Sequence, residues 1–293
     1  MIEDDIIISG NRAIARSYAK INLTLDILGK RDNGYHDVEM IMQTLSLFDL
    51  VIIDKTASGI SISTNLKYLS NTEKNIAYQA AEAFYRATGI KSGVKIMIHK
   101  NIPVAAGLAG GSGNAAAVLL AMNMLYNAGL TIDELCGIGL TLGADVPFCI
   151  KGGTQLAGGI GEILTPIETD VSYNVLLVKP LLNISTAAIY KEIDGIKFSR
   201  RPNNAAMIKA LNNGDIYGIT ENLCNVMENA TEKAHPIISG IKSKMLADGA
   251  LGTLMSGSGP TVFGIFDDYG KAFMAAEDFS FRFKDTYIAK TYY

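Results

Sequence analysis

The chain has 293 residues, of which 48% are hydrophobic and 19% are charged, and its formal net charge is −3. This composition predicts a packed globular protein of one large or two modest domains, and it excludes a disordered chain. A small negative charge provides no basic field for nucleic acid or for an anionic membrane surface, so we expect neither as a partner.

Three features predict a cytoplasmic location. The first ten residues are acidic where a signal peptide would be basic, and the most apolar helical stretch, 115–125, is far too short to span a bilayer. The cysteines form no C-x-x-C pair, which indicates free thiols instead of a disulfide framework or a zinc site. They are Cys136, Cys149 and Cys224.

The first third of the chain is predicted to form strands and one helix. The Asn33-Gly34 pair favours a hairpin turn, and apolar residues at helical spacing predict a helix over 75–88 that ends at Gly89. Apolar alternation predicts the strands, which cover 6–43 around a polar loop at 29–34, then 45–54, 59–64 and 94–99.

The rest of the chain alternates helices with short strands. Thr131 is the predicted N-cap of one of these helices. The uneven order of elements favours an α+β fold over a doubly wound sheet, with an N-terminal domain at 1–160 and a C-terminal domain at 161–293. The predicted elements are helices at 112–126, 131–142 and 186–192 and a strand at 173–179.

A glycine-rich segment, 101–113, follows a predicted strand and leads into a predicted helix. Glycines let a backbone approach an anion closely, and the free N–H groups and dipole of a helix start hold negative charge. The segment is neither a G-x-x-x-x-G-K-[ST] loop nor a G-x-G-x-x-G turn. A tight turn that only packs a helix on a sheet is the alternative, but the length of the segment and Ser112 at the helix start favour phosphate binding.

Three motifs give the chain a family resemblance. PVAAGLAGGS at 103–112 resembles the phosphate loop of the GHMP kinases, and AKINL at 19–23 and SGSGPTVF at 256–263 resemble two further motifs of that family. The resemblance implies a two-domain GHMP kinase fold: an N-terminal domain like the second domain of ribosomal protein S5 and a ferredoxin-like C-terminal domain, with ATP and substrate in the cleft between them.

Two further strings narrow the resemblance. LGKRDNGYH at 28–36 and LGADVPF at 142–148 are similar to those of GHMP kinases that phosphorylate a cytidine-diphosphate-linked polyol for isoprenoid precursor synthesis. The resemblance therefore implies transfer of the γ-phosphate of ATP, carried with Mg²⁺, to a hydroxyl of such a polyol. The alternatives are a GHMP kinase for another small alcohol, of the homoserine or mevalonate type, and a nucleotide-binding module without catalysis.

Lys20 and Asp145 are the candidate catalytic pair. Spacing alone leaves each with an ordinary alternative, which is an exposed strand face for Lys20 and a turn or helix cap for Asp145. The resemblance implies instead that Asp145 orients the hydroxyl and accepts its proton, while Lys20 stabilises the oxygen in the transition state. A module without catalysis would be expected to lose one of these residues, so the presence of both favours an enzyme.

The resemblance also implies two binding sets. Tyr35 and His36 follow a glycine turn, where an aromatic face can stack a base and a histidine can bind its edge; a packed tyrosine and a solvated histidine are the alternatives. The substrate-binding set is Asn22, Tyr35, His36, Thr186 and Tyr190. The ATP-binding set is Asn75, Lys100, Pro103, Ala106, Gly107, Leu108, Ala109, Gly110, Gly111, Ser112 and Gly113.

Three further expectations concern the metal, position 113 and the oligomeric state. Ser112 is the best candidate for a Mg²⁺ ligand, since the sequence holds no acidic cluster for a dedicated metal site. Gly113 replaces a second serine that is usual in the family, so the resemblance does not imply the phosphate or metal contact of that serine for this chain. The protein is expected to be a monomer or a homodimer.

Overall fold

The structure is a computed structural model that describes residues 5–196, 198 and 200–293. Glu3 and Asp4, which contribute to the acidic start, lie outside these residues. The strands are β1 Ile6–Ser9, β2 Arg12–Lys30, β3 His36–Thr56, β4 Ile60–Thr64, β5 Gly93–His99, β6 Thr154–Gly158, β7 Ile163–Pro166, β8 Asn174–Lys179, β9 Cys224–Asn225, β10 Gly252–Met255, β11 Val262–Phe266 and β12 Asp285–Lys290. The helices are α1 Ile76–Thr88, α2 Gly110–Tyr126, α3 Ile132–Leu140, α4 Val146–Lys151, α5 Thr186–Ile193, α6 Asn204–Asn212, α7 Ile216–Glu221, α8 Glu228–Ala234, α9 Ile237–Ala247 and α10 Tyr269–Ser280.

The predicted α+β class is confirmed, and the predicted helices begin and end close to the observed ones. Asn75 caps α1, Gly89 ends it in a left-handed conformation with φ of 70°, and Thr131 caps α3 with a full capping box. One expectation is wrong: 45–54 is not a separate strand, because β3 runs without a break from His36 to Thr56.

The chain divides into two compact units, each built from separate stretches of sequence. Unit 1 comprises the chain up to Ala19, Phe48–Val104 and Ala109–Gly152. In it β1 pairs antiparallel with the start of β2, the end of β3 pairs antiparallel with β5, and β4 pairs parallel with β5. Helices α1 to α4 pack on one another, and α2 is buried along most of its length.

Unit 2 comprises Lys20–Leu47, Ala105–Leu108 and Gly153–Tyr293. The later part of β2 pairs parallel with β9, and the early part of β3 pairs antiparallel with β6. A separate antiparallel sheet, in the order β10-β11-β8-β12, packs against α9 and α10. Because β2 and β3 contribute to both units, neither unit is one continuous segment, and the division at residue 160 stays a prediction.

None of the helices formed by the described residues combines the length with the apolar character that crossing a membrane requires.

Candidate active site

The glycine-rich segment bends sharply before α2. Ala105 and Ala109 have φ of 51° and 55°, and Gly107 has φ of 75°. A Cβ atom at Gly107 would lie 2.2 Å from the carbonyl oxygen of Ser256, and the Ser256 hydroxyl donates to the Gly107 carbonyl at 2.9 Å. Gly107 is therefore required both by its backbone conformation and by the close approach of the 256–260 turn.

The start of α2 offers backbone donors. Ala109 is the N-cap and makes no side-chain capping bond, and the first turn holds no acidic residue. The N–H groups of a first helical turn lack carbonyl partners within the helix, so those of Gly110, Gly111 and Ser112 can bind an anion. Helix α2 begins at Gly110, two residues before the predicted start, so Ser112 lies within its first turn. The Ser112 side chain is half-buried there.

Gly113 is explained by its surroundings. A Cβ atom there would lie 2.7 Å from the Ser17 hydroxyl oxygen and 3.1 Å from the Tyr18 carbonyl oxygen. Ser17 is 2% exposed and accepts a hydrogen bond from Asn114 at 3.0 Å. The space that a serine at 113 would need is thus filled by Ser17.

Lys20 is buried, with 4% of its surface exposed, so an exposed strand face is the wrong interpretation. Its ammonium group donates to Asn22 Oδ1 at 2.7 Å, and its backbone N–H donates to the Leu108 carbonyl at 3.2 Å. A Cβ atom on Gly257 would lie 3.6 Å from Asn22 Oδ1. Unit 2 thus brings two of the predicted site residues, Lys20 and Asn22, next to Leu108 and Gly257 of two glycine-rich motifs.

Asp145 lies at the predicted turn. It is the N-cap of α4 in a right-handed conformation, and its side chain makes no capping hydrogen bond. The Val146 N–H donates to the Gly143 carbonyl at 3.1 Å, which closes the turn before the helix. The carboxylate is therefore not committed to capping, which removes one of the two alternatives for this residue.

The candidate base pocket is built on His36. Its ring stacks on Tyr190 with centroids 4.7 Å apart, and its Nε2 lies 2.6 Å from Asp194 Oδ1. Two hydrogen bonds, the larger effect from Lys30 and the smaller from His36, hold the pKa of the Asp194 carboxyl below its usual value. His36 is 9% exposed, so a solvated histidine is the wrong interpretation, whereas Tyr35 is 60% exposed.

Thr186, at the other end of α5, forms a hydroxyl–hydroxyl hydrogen bond of 2.8 Å with Ser258. Thr186 is therefore hydrogen-bonded to the 256–260 turn, and Asn22 lies close to the same turn at Gly257.

Two ATP-binding candidates have structural roles in unit 1. The Asn75 side chain accepts from the Ala77 N–H at 3.0 Å and donates to the Ser70 carbonyl at 2.9 Å, so it caps α1. The Lys100 ammonium donates to the carboxylate of Asp49, to the Gly110 carbonyl at 3.3 Å and to Asn114 Oδ1 at 3.1 Å.

Sequence reasoning missed Asp49, Asn114, Ser17 and Asp194. Asp49 had a visible signal, because it lies in phase with the buried residues Val51 and Ile53 on alternate positions of β3. The other three carry no pattern that separates them from ordinary polar residues.

The described part of the chain contains no group of three or more histidine, cysteine, aspartate or glutamate side chains placed to hold a metal ion.

Comparison with known proteins is consistent with these features. The model of the GHMP kinase N-terminal domain matches residues 75–153, and that of the GHMP kinase C-terminal domain matches 207–285. A 4-diphosphocytidyl-2-C-methyl-D-erythritol kinase of Clostridium novyi (strain NT) is 50% identical over 276 residues, which cover 94% of this chain and 99% of that protein.

Solved structures extend the similarity to the fold. A crystal structure of 4-(cytidine 5'-diphospho)-2C-methyl-D-erythritol kinase has a TM-score of 0.83 at 31% identity and covers 95% of this chain and 98% of its own. The homoserine kinase of Cytophaga hutchinsonii has a TM-score of 0.75 at 16% identity, covers 98% of this chain and 96% of its own, and shares the fold alone. The predicted two-domain GHMP kinase fold is confirmed.

Proposed function

The chain belongs to the GHMP kinases, and within them to the 4-diphosphocytidyl-2-C-methyl-D-erythritol kinases, and we propose how its residues phosphorylate the 2-hydroxyl of that cytidylylated polyol. It is an ATP-dependent small-molecule kinase of isoprenoid precursor synthesis. The observation that carries the assignment is 50% identity over 94% of the chain.

The proposed reaction is one phosphoryl transfer. The 2-hydroxyl oxygen forms a bond to the γ-phosphorus while the bond from that phosphorus to the β,γ-bridging oxygen breaks, and ADP leaves. Asp145 orients the hydroxyl and accepts its proton, and the Lys20 ammonium stabilises negative charge on the reacting oxygens. Support comes from the burial of Lys20 beside Asn22 and from the position of Asp145 at the turn before α4.

The glycine-rich segment is proposed to bind the phosphates of ATP. The first-turn N–H groups of α2 would contact phosphate oxygens, and Asn75 and Lys100 would lie on the adenosine side. Mg²⁺ would neutralise charge on the phosphates, and the Ser112 hydroxyl is the candidate ligand. This fits an ion that keeps most of its contacts with water and phosphate and needs no protein cage.

Substrate choice is proposed to depend on the cytosine. Both substrates carry a diphosphate, so phosphate contacts cannot distinguish them. Tyr190 and Tyr35 would stack on the base and His36 would bind its edge. Support comes from the fixed placement of His36 between Tyr190 and Asp194.

The cellular setting follows from the substrates. ATP as a substrate and three free thiols fit the cytoplasmic location predicted from the sequence.

A coupled assay of ADP release tests the proposal. We expect turnover with 4-diphosphocytidyl-2-C-methyl-D-erythritol and at least about 100-fold lower kcat/KM with mevalonate or homoserine, because neither offers a base for the pocket. Preferred turnover of mevalonate or homoserine would contradict the proposed substrate.

A further inference from the structure

Asp49 is a fully buried carboxylate that the proposed reaction does not use. It lies on β3 with no exposed surface. Its Oδ1 accepts the backbone N–H groups of Asn101 at 2.7 Å and Ile102 at 2.8 Å. One oxygen therefore fixes the main chain where the glycine-rich segment leaves β5.

The other oxygen of Asp49 connects to the far end of the segment. Asp49 Oδ2 accepts from Asn114 Nδ2 at 2.8 Å and from the Lys100 ammonium. Lys100 in turn donates to the carbonyl of Gly110, the first residue of α2, and to Asn114 Oδ1, one turn later. The carboxylate thus holds the exit of β5 and the entry of α2 through one connected set of hydrogen bonds.

Lys100 has no donor left for a ligand in this arrangement. An ammonium group has three N–H donors, and Asp49, Gly110 and Asn114 take all three. The 6% exposure of its side chain agrees with this. The backbone N–H of Lys100 is taken as well, by Asn65 Oδ1 at 2.8 Å, so Lys100 offers no N–H donor to the adenosine side.

We propose that Asp49 is a positioning residue for ATP. By fixing both ends of the glycine-rich segment, it holds the first-turn N–H groups of α2 in one geometry before the nucleotide arrives. This rests on the proposed function, because the donors positioned are those assigned to the phosphates. A phosphate bound by backbone N–H groups depends on where the main chain lies, since no flexible side chain can adjust to a displaced ligand.

A purely structural ion pair would behave differently. Removing one partner of a buried pair destabilises the fold because it leaves a charge without compensation, and replacing both partners often restores stability. Stability and nucleotide affinity can therefore be separated by comparing single and double variants.

The test begins with Asp49→Asn. The amide oxygen can still accept from Asn101 and Ile102, but the amide NH₂ then faces the donors of Lys100 and Asn114. We expect the dissociation constant for ATP, measured by calorimetry, to rise by about 10- to 100-fold. The KM for the cytidine substrate should change by less than about threefold, because its pocket is not displaced.

The double variant Asp49→Asn/Lys100→Met keeps the test valid if the single variant folds poorly. It leaves neither charge of the Asp49–Lys100 pair, so its Tm should return toward that of the wild type. The link to Gly110 is still missing, so ATP should remain at least about 10-fold weaker than in the wild type. Recovery of both Tm and ATP affinity to wild-type values would overturn the proposal, because the pair would then only balance charge.

Asp54→Asn is the matched control. It lies on the same strand and loses a bidentate ion pair with Arg12, at 2.6 and 2.9 Å, that does not involve the segment. Its ATP affinity should equal that of the wild type. The two proposals fail separately: wild-type protein that turns over no alcohol contradicts the function, whereas equal ATP affinity in wild type and Asp49→Asn contradicts the positioning role.

Discussion

The glycine-rich segment and the hairpin turn at 31–35 are held in place by different means. The segment is fixed through buried groups, namely Asp49 at its ends and Ser256 against Gly107. The turn is fixed at the surface, where Arg31 donates to Asp37 at 2.6 and 2.9 Å. If the two regions have the proposed roles, phosphate binding depends on a main chain fixed by buried groups, whereas base selection depends on side chains next to a turn that is fixed by an exposed ion pair.

The largest effect is expected on the phosphoryl-transfer step. Its proposed proton acceptor, Asp145, lies outside both the glycine-rich segment and the 31–35 turn. Asp145→Asn keeps the size of the side chain but removes its negative charge and its capacity to take a proton. We expect kcat to fall by about 100-fold or more while the affinity for ATP stays nearly unchanged.

Single-turnover kinetics and ATP titration measure the two quantities. Asp133→Asn is the control, since that side chain is 88% exposed and forms an ion pair with Lys151. Wild-type turnover in Asp145→Asn would show that another group takes the proton.

The rigid region can be broken at Gly107. Gly107→Ala introduces a Cβ atom 2.2 Å from the Ser256 carbonyl oxygen at a φ of 75°, so the segment has to move. We expect ATP to bind about 10- to 100-fold more weakly. Calorimetric titration with ATP measures the change.

Gly137→Ala is the matched glycine control. A Cβ atom there meets nothing within 4 Å inside α3, so ATP affinity should be unchanged and stability should rise slightly. The rigid-segment interpretation is contradicted by equal ATP affinity in the two alanine variants.

The proposed base pocket next to the 31–35 turn can be probed at Tyr190, which lies on α5. Tyr190→Ala removes the ring that stacks on His36 and one proposed face of the cytosine site. Base–aromatic stacking contributes roughly 1–3 kcal/mol, so KM for the cytidine substrate should rise by about 5- to 100-fold while KM for ATP barely changes. Tyr217→Ala, at a tyrosine that is 60% exposed on α7, is the control. Equal rises in both KM values would place the cytidine pocket elsewhere.

The smallest effect is expected at Asp37. The hydrogen bond from Arg31 lowers the pKa of Asp37, so the carboxylate stays ionised in the folded state at a pH where it would begin to take up a proton in the unfolded chain. The pair therefore stabilises the protein above the ordinary pKa of aspartate, and this contribution is lost as the pH falls through the folded value.

Thermal unfolding of Asp37→Asn tests this sign. Its Tm should lie slightly below that of the wild type at pH 7, and the difference should shrink as the pH falls below the ordinary pKa of aspartate. A difference that grows on acidification would contradict the assignment. KM for the cytidine substrate should rise by less than about twofold, because the pair is exposed to solvent.

Local patterns in the sequence predicted much of the fold. Helix α1 and its caps follow from Asn75, Gly89 and the apolar spacing between them, because capping depends on neighbours in the chain. The sequence did not predict that β3 continues through 45–54 as one strand, since its pairing partners, β5 and β6, lie far away along the chain.

The candidate site was predictable where residues carry a motif and not where they act through space. Lys20, Asp145 and the glycine-rich segment belong to strings with a family resemblance. The alternation of buried positions on β3 marks Asp49 as buried, but its partners became visible only when the fold brought β3 beside the start of α2, since a hydrogen bond between residues as distant as Asp49 and Asn114 leaves no trace in local spacing. The roles assigned to the site residues stay predictions until they are measured.

The parallel pairing of Thr24 with Cys224 joins two parts of the chain that the ribosome makes at very different times. The part of β2 that carries Lys20 and Asn22 leaves the exit tunnel early, yet its partner β9 emerges only after most of the chain. Contacts between residues so far apart in sequence form slowly, because a long loop has to close first. The nascent chain therefore carries its candidate catalytic lysine on a strand without this neighbour for most of translation, and the pairing of β2 with β9 can form only after most of the chain has been made.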